Sequence, residues 1–260
     1  MRKILCSMNP NLKTIVVIGG DRGIGAATAT LAAQKGYQVV IGFYQQALTA
    51  QVKVQELNET GAKSYAFQID VADLRSVELF FDQVVKACGI PDAVVNCAAI
   101  SGQREALIDT NPESISQILN TNLTGAFYCV QVASKHMASS RGGRGGAIVT
   151  LSSEAAKFGG NLIAPYAASK AGINAMTIGV ARELALEGIR LNAVSPGLVN
   201  NKLESSTTIN AESSKIAVAV QSIPLGRMGL PVEVAQAVLW LLSSEASYVT
   251  GTILTVAGGR

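Results

Sequence analysis

Short β-branched apolar runs recur along the chain, and longer stretches of helical composition separate them. A run that is apolar at every position is typical of a strand buried on both faces of a parallel sheet, because a half-exposed strand alternates with polar residues. We predict strands at residues 14–18, 38–43, 64–69, 93–96, 147–151, 189–194 and 253–256.

The stretches between these strands carry the start and stop signals of helices. Asp73 has the position of an N-cap, and Gly61, Gly89 and Gly188 have the positions of C-terminal stops. The predicted helices cover residues 23–34, 48–60, 73–88, 112–139, 165–187 and 231–242. Strands that alternate with helices predict βαβ units, and therefore an α/β fold with a doubly wound, mostly parallel seven-stranded sheet and helices on both faces.

The chain shows no division into separate parts. No shift in composition and no internal repeat is visible, so we expect a single domain over residues 13–260. The basic start, residues 1–12, has too short an apolar stretch for a signal peptide and is interpreted as a loose leader. Residues 200–215 are polar and weakly periodic, which is typical of a substrate lid or of a mobile surface insertion.

A glycine- and arginine-rich stretch, RGGRGG at residues 141–146, resembles a small RNA-binding tract. It is short and stands directly before a predicted strand, which favours a flexible loop instead.

Composition excludes several functional classes. Hydrophobic residues make up 48% of the 260 and charged residues 15%, which excludes disorder and favours a large core or large subunit interfaces. The net charge of +3 is too small to indicate a nucleic acid or a membrane surface as a partner. No run approaches the ~18 apolar residues of a membrane span.

Histidine and cysteine usage narrows the chemistry further. His136 is the single histidine, and none of the four cysteines forms a C-x-x-C pair, so we expect no metal site. Without a secretory signal the cysteines are interpreted as reduced thiols of a cytoplasmic protein.

A glycine-rich loop follows the first predicted strand and opens a predicted helix; it reads Gly19-Gly20-Asp21-Arg22-Gly23-Ile24-Gly25. Gly19 allows a tight turn, Gly23 lets the backbone approach a pyrophosphate, and Gly25 lets the helix pack on the strand. The helix N-terminus then offers N–H donors and the positive end of its dipole to the phosphates. This strand–turn–helix context favours a dinucleotide site over a purely structural turn.

The spacing of these glycines, G-x-x-x-G-x-G, resembles that of the short-chain dehydrogenase/reductase family, and later motifs extend the resemblance from Thr14 to Gly259. They are Asn96-Cys97-Ala98-Ala99, Asn122 in N-L-T-G, Ser153, Tyr166-Ala167-Ala168-Ser169-Lys170 and Ser195-Pro196-Gly197. The resemblance implies an extended Rossmann subunit, a nicotinamide cofactor and oxidoreductase activity. It is closest to the 3-oxoacyl-carrier-protein reductase-like branch, which also contains sugar and polyol dehydrogenases.

The end of the second predicted strand bears on the choice of cofactor. NAD enzymes place an acid there, about 20 residues after the glycines, to bind the ribose 2′-hydroxyl. Here the segment is Gly42-Phe43-Tyr44-Gln45-Gln46, and the first acid afterwards is Glu56. Arg22 can pair with a 2′-phosphate, although it can also be a solvated loop charge. We therefore predict NADP(H) over NAD(H).

The resemblance implies further cofactor contacts. It assigns Asp70, with the Val71 backbone, to the adenine amino group, although an Asp there can equally cap a local loop. It places Asn96, Ala98 and Ala99 beside the adenosine, and Pro196, Gly197 and Val199 beside the nicotinamide carboxamide. The chain departs from the usual family residues at Ile18, Cys97, Ala99 and Asn201.

Tyr166 and Lys170 lie one turn apart on a predicted helix, so they share a face. A neighbouring positive charge stabilises a phenolate, so we expect a lowered pKa for Tyr166 and a role as proton donor and acceptor. The resemblance assigns Ser153 to the substrate oxygen, and it assigns Lys170 to the nicotinamide ribose. Asn122 interrupts an apolar helical stretch; it is interpreted as a break that holds a relay water, or as a satisfied core Asn.

These features together predict an NADP(H)-dependent oxidoreductase that acts on a small-molecule carbonyl or alcohol and forms a homotetramer or homodimer. The alternatives are an NAD(H)-dependent sugar or polyol dehydrogenase of the same family and a non-catalytic NADP-binding redox sensor. We expect the substrate to be selected by residues 101–104, 154–163, Leu198 and the segment 200–215.

Overall fold

Seven parallel strands form one sheet in the order β3-β2-β1-β4-β5-β6-β7 in a computed structural model of the chain, which describes residues 12–200 and 220–260. Every neighbouring pair of strands is parallel. The strands are β1 Thr14–Ile18, β2 Gln38–Phe43, β3 Ser64–Gln68, β4 Ala93–Asn96, β5 Gly146–Leu151, β6 Ile189–Pro196 and β7 Ile253–Val256. The predicted α/β architecture is confirmed.

Helices cover both faces of the sheet and form two apolar clusters with it. They are α1 Gly23–Gln34, α2 Ala47–Glu59, α3 Leu74–Cys88, α4 Pro112–Leu119, α5 Gly125–Met137, α6 Ala155–Phe158, α7 Ala164–Leu184 and α8 Pro231–Leu242. Within residues 12–200 and 220–260, no helix combines the length and the apolar character that crossing a membrane requires.

Strand β1 shows why the apolar runs are continuous. Its alternate residues Ile15 and Val17 belong to the cluster with α1 and α8, and Val16 and Ile18 belong to the cluster with α3, α5 and α7. All four side chains are buried, because each face of the sheet carries its own layer of helices.

The prediction of one continuous helix over residues 112–139 is wrong in one respect. The structure divides it into α4 and α5 with a π-helical turn, Asn120–Thr124, between them, and α5 ends at Met137. Asn122 lies in this turn and binds the backbone of a neighbouring loop, so a tertiary contact interrupts the helix. π-helical turns of this kind are frequent at functional sites.

Two further predicted segments can be placed. Residues 141–146 connect α5 to β5, and Arg144 forms an ion pair of 3.2 Å with Asp92. This position agrees with the interpretation as a loop. The predicted leader lies almost wholly outside the described residues, and so do Asn201 and the segment 200–215 after Asn200.

The strand order fixes where a ligand site is expected. Strands β2 and β3 lie on one side of β1, and the chain then crosses to β4 on the other side. The connections that leave the carboxyl ends of β1 and β4 therefore diverge. Such a topological switch point forms a crevice in which open α/β sheets bind their ligands.

Candidate functional site

A cleft of about 990 Å³ opens at the carboxyl ends of the strands, at the switch point between β1 and β4. Its walls come from the segments that follow β1, β2, β3, β4, β5 and β6, together with the start of α7. Most of the predicted site residues line it: Gly19, Asp21, Arg22, Ile24, Gly25, Tyr44, Asp70, Val71, Ala98, Ala99, Ser153, Tyr166, Lys170, Pro196, Gly197 and Val199.

Three predicted site residues, Gly23, Asn96 and Asn122, do not line the cleft. The side chain of Asn96 is buried, and its Oδ1 accepts a hydrogen bond of 3.1 Å from the Ala98 backbone N–H. The structure gives the Asn96 side chain a structural contact, and its predicted place beside the adenosine stays a prediction. Its amide shapes the turn after β4, which places Ala98 and Ala99 at the cleft wall.

The glycine-rich loop packs too closely for side chains at its key positions. Gly19 has a φ of +74°, in the left-handed region that glycine adopts without strain. A Cβ on Gly25 would lie 1.9 Å from the Gly19 carbonyl oxygen, so no side chain can be accommodated there. The backbone of this loop therefore forms the wall of the cleft directly.

Arg22 is the exposed N-cap residue of α1 and has extended backbone angles, with φ −153° and ψ 168°. Its guanidinium makes no hydrogen bond or ion pair with residues 12–200 or 220–260. The cleft wall across from this loop, at the end of β2, is formed by uncharged residues, Phe43, Tyr44, Gln45 and Gln46. The Arg22 guanidinium, which has no partner among the described residues, therefore lines the same cleft as the segment after β2, and that segment carries no acid.

Asp70 follows β3 and has a local structural role. One of its carboxylate oxygens accepts a hydrogen bond of 2.9 Å from the Ala72 backbone N–H, which is the loop-capping alternative considered for this residue. Its own N–H donates to the Ser76 hydroxyl. The residue nevertheless lines the cleft, so the capping contact and a ligand contact are compatible.

Tyr166 and Lys170 lie on the first turns of α7, which begins at Ala164 and has Pro165 in its first turn, a position that suits the fixed φ of proline. The Lys170 Nζ lies 5.7 Å from the centroid of the Tyr166 ring and donates a hydrogen bond of 2.7 Å to the Leu151 carbonyl. Lys170 is only 2% exposed. The Ser153 hydroxyl accepts from the Ala155 N–H at 3.2 Å and lies near enough to the Tyr166 phenol to affect its pKa.

The pKa of Tyr166 differs from the expectation drawn from the sequence. Burial raises the pKa of Tyr166 above its ordinary value, and the hydrogen bond from Ser153 lowers it by a smaller amount. The expected lowering of the Tyr166 pKa by Lys170 is therefore wrong for the cofactor-free protein. Burial lowers the pKa of Lys170 from 10.5 to about 8, with a smaller opposing effect from Cys97. The amine, rather than the phenol, thus titrates nearest to neutral pH.

Cys97 stands where the family usually has Asn, and it lines the cleft. Burial raises the pKa of its thiol to about 12, with a smaller opposing effect from Lys170. The thiol is therefore protonated at neutral pH, which argues against a nucleophilic role. Within the described ranges no cluster of three or more His, Cys, Asp or Glu side chains is arranged to hold a metal ion.

Asn122 lies behind the cleft and is fully buried. Its Oδ1 accepts from the Ile100 N–H at 2.8 Å, and its Nδ2 donates to the Ile100 carbonyl at 2.8 Å and to the Ser169 hydroxyl at 3.0 Å. These bonds agree with the core alternative for this residue. They fasten the loop after β4 to α7, so Asn122 can position Tyr166 without touching the cleft.

Sequence reasoning missed the residues that complete this network. The Ser169 hydroxyl donates to the Tyr166 carbonyl at 2.6 Å, and the Ser152 hydroxyl donates to the Lys170 carbonyl at 3.2 Å. Both serines are buried. Ser169 stands directly before Lys170 in the chain, and a small polar residue at that position was the available signal.

We expect Lys170→Met to stabilise the cofactor-free protein at neutral pH. The shift of the Lys170 pKa from 10.5 to about 8 corresponds to a free-energy cost of roughly 3 kcal/mol for burying the charge. The variant avoids this cost, but losing the hydrogen bond to the Leu151 carbonyl offsets about 1–2 kcal/mol of the gain. A urea titration at pH 7 should therefore show a free energy of unfolding about 1 kcal/mol higher in the variant.

The pH dependence of this difference in the free energy of unfolding tests whether the charge of Lys170 causes it. Lys170 has a lower pKa in the folded than in the unfolded chain, so the unfolded chain binds more protons between about pH 8 and 10.5. The stability of the wild type relative to the variant therefore rises by roughly 3 kcal/mol through this window, so the gap closes and then reverses. A gap that stays constant from pH 7 to about pH 10 would show that the charge of Lys170 does not cause it.

Comparison with known proteins identifies relatives over almost the whole chain. A family model described as enoyl-(acyl carrier protein) reductase matches residues 18–260. An uncharacterised oxidoreductase of Escherichia coli, YgfF, is 39% identical over 247 residues, which cover 94% of this chain and 98% of that one. The 3-oxoacyl-[acyl-carrier-protein] reductase FabG of Staphylococcus aureus is 34% identical over 247 residues, covering 95% and 97%.

A solved structure agrees with these matches. The crystal structure of a dehydrogenase/reductase from Sinorhizobium meliloti has a TM-score of 0.85 and 32% identity, and the match covers 95% of this chain and 94% of that one. The chain belongs to the short-chain dehydrogenase/reductase family of oxidoreductases, close to its 3-oxoacyl-carrier-protein reductase-like branch. Members of this family use nicotinamide cofactors.

Proposed function

We propose that the protein is an NADP(H)-dependent oxidoreductase that interconverts a small-molecule carbonyl compound and its alcohol. The observation that carries the proposal is the grouping of Tyr166, Ser153 and Lys170 in the cleft that the glycine-rich loop also lines. A non-catalytic redox sensor would need the loop, but it would not need a phenol, a hydroxyl and a buried amine arranged around one point.

The residues present fit a nicotinamide dinucleotide. The loop from Gly19 to Gly25 leaves no room for a Cβ at Gly20 or Gly25, and it begins a helix whose N–H groups suit a pyrophosphate. The bound cofactor would supply or accept the hydride. Arg22 and Tyr44 would hold its adenosine end, and Pro196, Gly197 and Val199 would border its nicotinamide end.

The protein's own groups then move the proton. Tyr166 is placed to donate its phenolic proton to the carbonyl oxygen of the substrate during reduction, and to accept it back during oxidation. Ser153 donates a hydrogen bond to the same oxygen and stabilises the charge that develops on it. Lys170 keeps a positive charge within the cleft, which favours the deprotonated phenol after the transfer.

The preference for NADP(H) rests on charge. A phosphate on the adenosine ribose needs a cation and the absence of a nearby carboxylate. The Arg22 guanidinium makes no hydrogen bond or ion pair with the described residues, and no acid follows β2 in the cleft wall. An NAD(H)-dependent sugar or polyol dehydrogenase, the alternative within the family, would be expected to carry a carboxylate in that wall.

The experiment that tests the proposal follows nicotinamide absorbance with NADPH and NADH against a panel of ketones and aldehydes. In the reverse direction it uses NADP⁺ and NAD⁺ with sugars and polyols. Turnover of carbonyl compounds with NADPH supports the proposal. Turnover of sugars with NAD⁺ alone would favour the dehydrogenase alternative, and tight NADPH binding without any turnover would favour the sensor.

We also propose that residues 13–260 act as one cytoplasmic cofactor-binding domain and assemble into a homotetramer or homodimer. Large apolar side chains are exposed on three helices and before β7: Phe127 on α5, Ile178 on α7, Trp240 on α8, and Tyr248. Subunit interfaces would cover such surfaces. We expect light scattering to give two or four times the subunit mass of 27.0 kDa, and a mass near one subunit would contradict the assembly.

A further inference from the structure

A second cavity, of about 530 Å³, lies at the end of the sheet opposite the cleft, where the strands begin. Arg190 lines this cavity near the start of β6, and Pro196 lines the cleft at the end of the same strand. The length of strand between them corresponds to roughly 20 Å. We refer to the cavity as the basal pocket; its polar side chains include Lys13, Tyr37, Asp92, Arg144, Arg190 and Ser244.

Positive charge is in excess in the basal pocket. Its charged side chains are three cations, Lys13, Arg144 and Arg190, and one acid, Asp92. One Asp92 carboxylate oxygen accepts from the Arg144 guanidinium at 3.2 Å, and the other accepts from the Thr14 N–H at 2.8 Å. Neither Lys13 nor Arg190 forms an ion pair with residues 12–200 or 220–260. Two positive charges of the pocket therefore lack a carboxylate partner, which favours an anion as its ligand.

Arg190 is fixed in place at the wall of the basal pocket. Its Nη1 donates to the Leu241 carbonyl at 2.7 Å and to the Val249 carbonyl at 3.1 Å, and its Nη2 donates to the Ser243 carbonyl at 3.0 Å. A guanidinium has five N–H donors, so these bonds leave two of them for a ligand. The carbonyls at the end of α8 offset only about half of its charge. The guanidinium is therefore a preorganised cation with donors to spare.

Neutral donors accompany these charges. Burial and, to a smaller extent, the nearby Asp92 raise the pKa of Tyr37, so its phenol keeps its proton and can donate it in a hydrogen bond. Ser244 and Ser247 are exposed residues of the pocket wall, and each carries a hydroxyl. A phosphate group offers three acceptor oxygens and a charge of about −1.5 to −2, which suits several donors and two cations better than a single carboxylate would.

We propose that the basal pocket is an anion site that binds a phosphate group, either free or carried by a small phosphomonoester. The volume of about 530 Å³ lies within the range of roughly 300–1,000 Å³ that small-molecule sites have, so an organic group can accompany the phosphate. The inference goes beyond the proposed function and does not depend on it. The basal pocket and the cleft share no lining residue, so both can be occupied at once.

The experiment is isothermal titration calorimetry of the whole chain, without cofactor and at constant ionic strength. Inorganic phosphate and glycerol 3-phosphate are the two probes, and glycerol and sodium chloride are the blanks. We expect saturable binding of at least one probe and no binding of the blanks. Because the cleft can also attract phosphate, the titration is repeated with Arg22→Ala, which should retain the binding to the basal pocket.

Two variants remove cations from the basal pocket, Lys13→Met and Arg144→Ala. Both side chains are exposed, so we expect Tm to stay close to wild type. Each variant should weaken phosphate binding about three- to tenfold, and Arg144→Ala more than Lys13→Met because it also frees the Asp92 carboxylate. Arg75→Ala is the matched control: it removes an exposed arginine from a 3.5 Å ion pair with Glu78 on α3, and it should change nothing.

The outcomes decide between the basal pocket and other sources of binding. No saturable binding of either probe overturns the proposal. Binding that is lost in Arg22→Ala and unchanged in Lys13→Met and Arg144→Ala belongs to the cleft, which overturns it as well. Equal weakening by Arg75→Ala would show a general attraction to positive charge and would also overturn it. Tighter binding of glycerol 3-phosphate supports the site with a phosphomonoester as ligand, and tighter binding of inorganic phosphate supports it with the free ion.

Discussion

Replacement of Tyr166 by Phe is expected to lower kcat for carbonyl reduction by about 10²–10⁴-fold, the usual contribution of a positioned proton donor. The phenylalanine ring fills the same space on α7, so packing is retained and only the hydroxyl is lost. The buried surroundings of Tyr166 raise its pKa, so the phenol holds its proton at neutral pH and is ready to donate it. Steady-state kinetics with NADPH and a ketone substrate measure the effect.

The affinity for NADPH and the thermal stability of the variant serve as its controls. Both should remain close to wild type, because the backbone network of Ser169 and Asn122 does not involve the phenolic oxygen. Ser153→Ala is a matched variant that removes one hydrogen bond to the substrate oxygen and should cost less than Tyr166→Phe. If Tyr166→Phe retains more than about a tenth of the wild-type kcat, another group donates the proton and the proposed mechanism is wrong.

The strands and most helices were predictable because their signals are local. The runs of β1 and β4 are buried at every position and almost wholly apolar, since both faces of the sheet are covered. Helix α1 begins at Gly23 and ends at Gln34, as its pattern predicts. The glycine loop was equally accessible to sequence reasoning. Its requirement for glycine at position 25 comes from atoms only a few residues away.

The details that the sequence did not reveal depend on contacts between distant segments. The π-helical turn at Asn122 exists because this side chain binds Ile100, a residue in a different loop. The direction of the Tyr166 pKa shift depends on burial, which only the assembled cleft defines. The left-handed backbone of Leu162 is held by Glu105, far along the chain. None of these three features can be predicted from the residues that lie next to Asn122, Tyr166 or Leu162 in the sequence.

The difference between local signals and distant contacts also applies to the polar residues of the family motifs. Asn96 and Asn122 stand in the motifs that define the family resemblance, yet neither lines the cleft and the side-chain oxygen of each accepts from a backbone N–H. A motif locates such residues, but it does not separate a ligand contact from a structural one. Arg22 is the opposite case, because the structure leaves its guanidinium without a partner among the described residues.

Replacement of Arg22 by Ala is therefore expected to weaken NADPH binding by about 10–100-fold while changing NADH binding little. A hydrogen bond to a charged group is worth about 1.5–3 kcal/mol, and each 1.4 kcal/mol is a tenfold change in affinity. The effect should be confined to the cofactor that carries the 2′-phosphate. Titration of cofactor fluorescence with both nucleotides gives the two dissociation constants directly.

A second substitution tests the same electrostatic explanation by adding a negative charge instead of removing a positive one. Tyr44→Asp would place a carboxylate after β2, where it can accept from a ribose hydroxyl and repel a phosphate, so the preference should move toward NADH. Arg104→Ala removes an exposed arginine that lies outside the proposed phosphate position, and it should alter neither dissociation constant. If Arg22→Ala weakens NADPH and NADH equally, or weakens neither, Arg22 is a solvated loop charge. The preference for NADP(H) would then need a different source among the residues of the cleft.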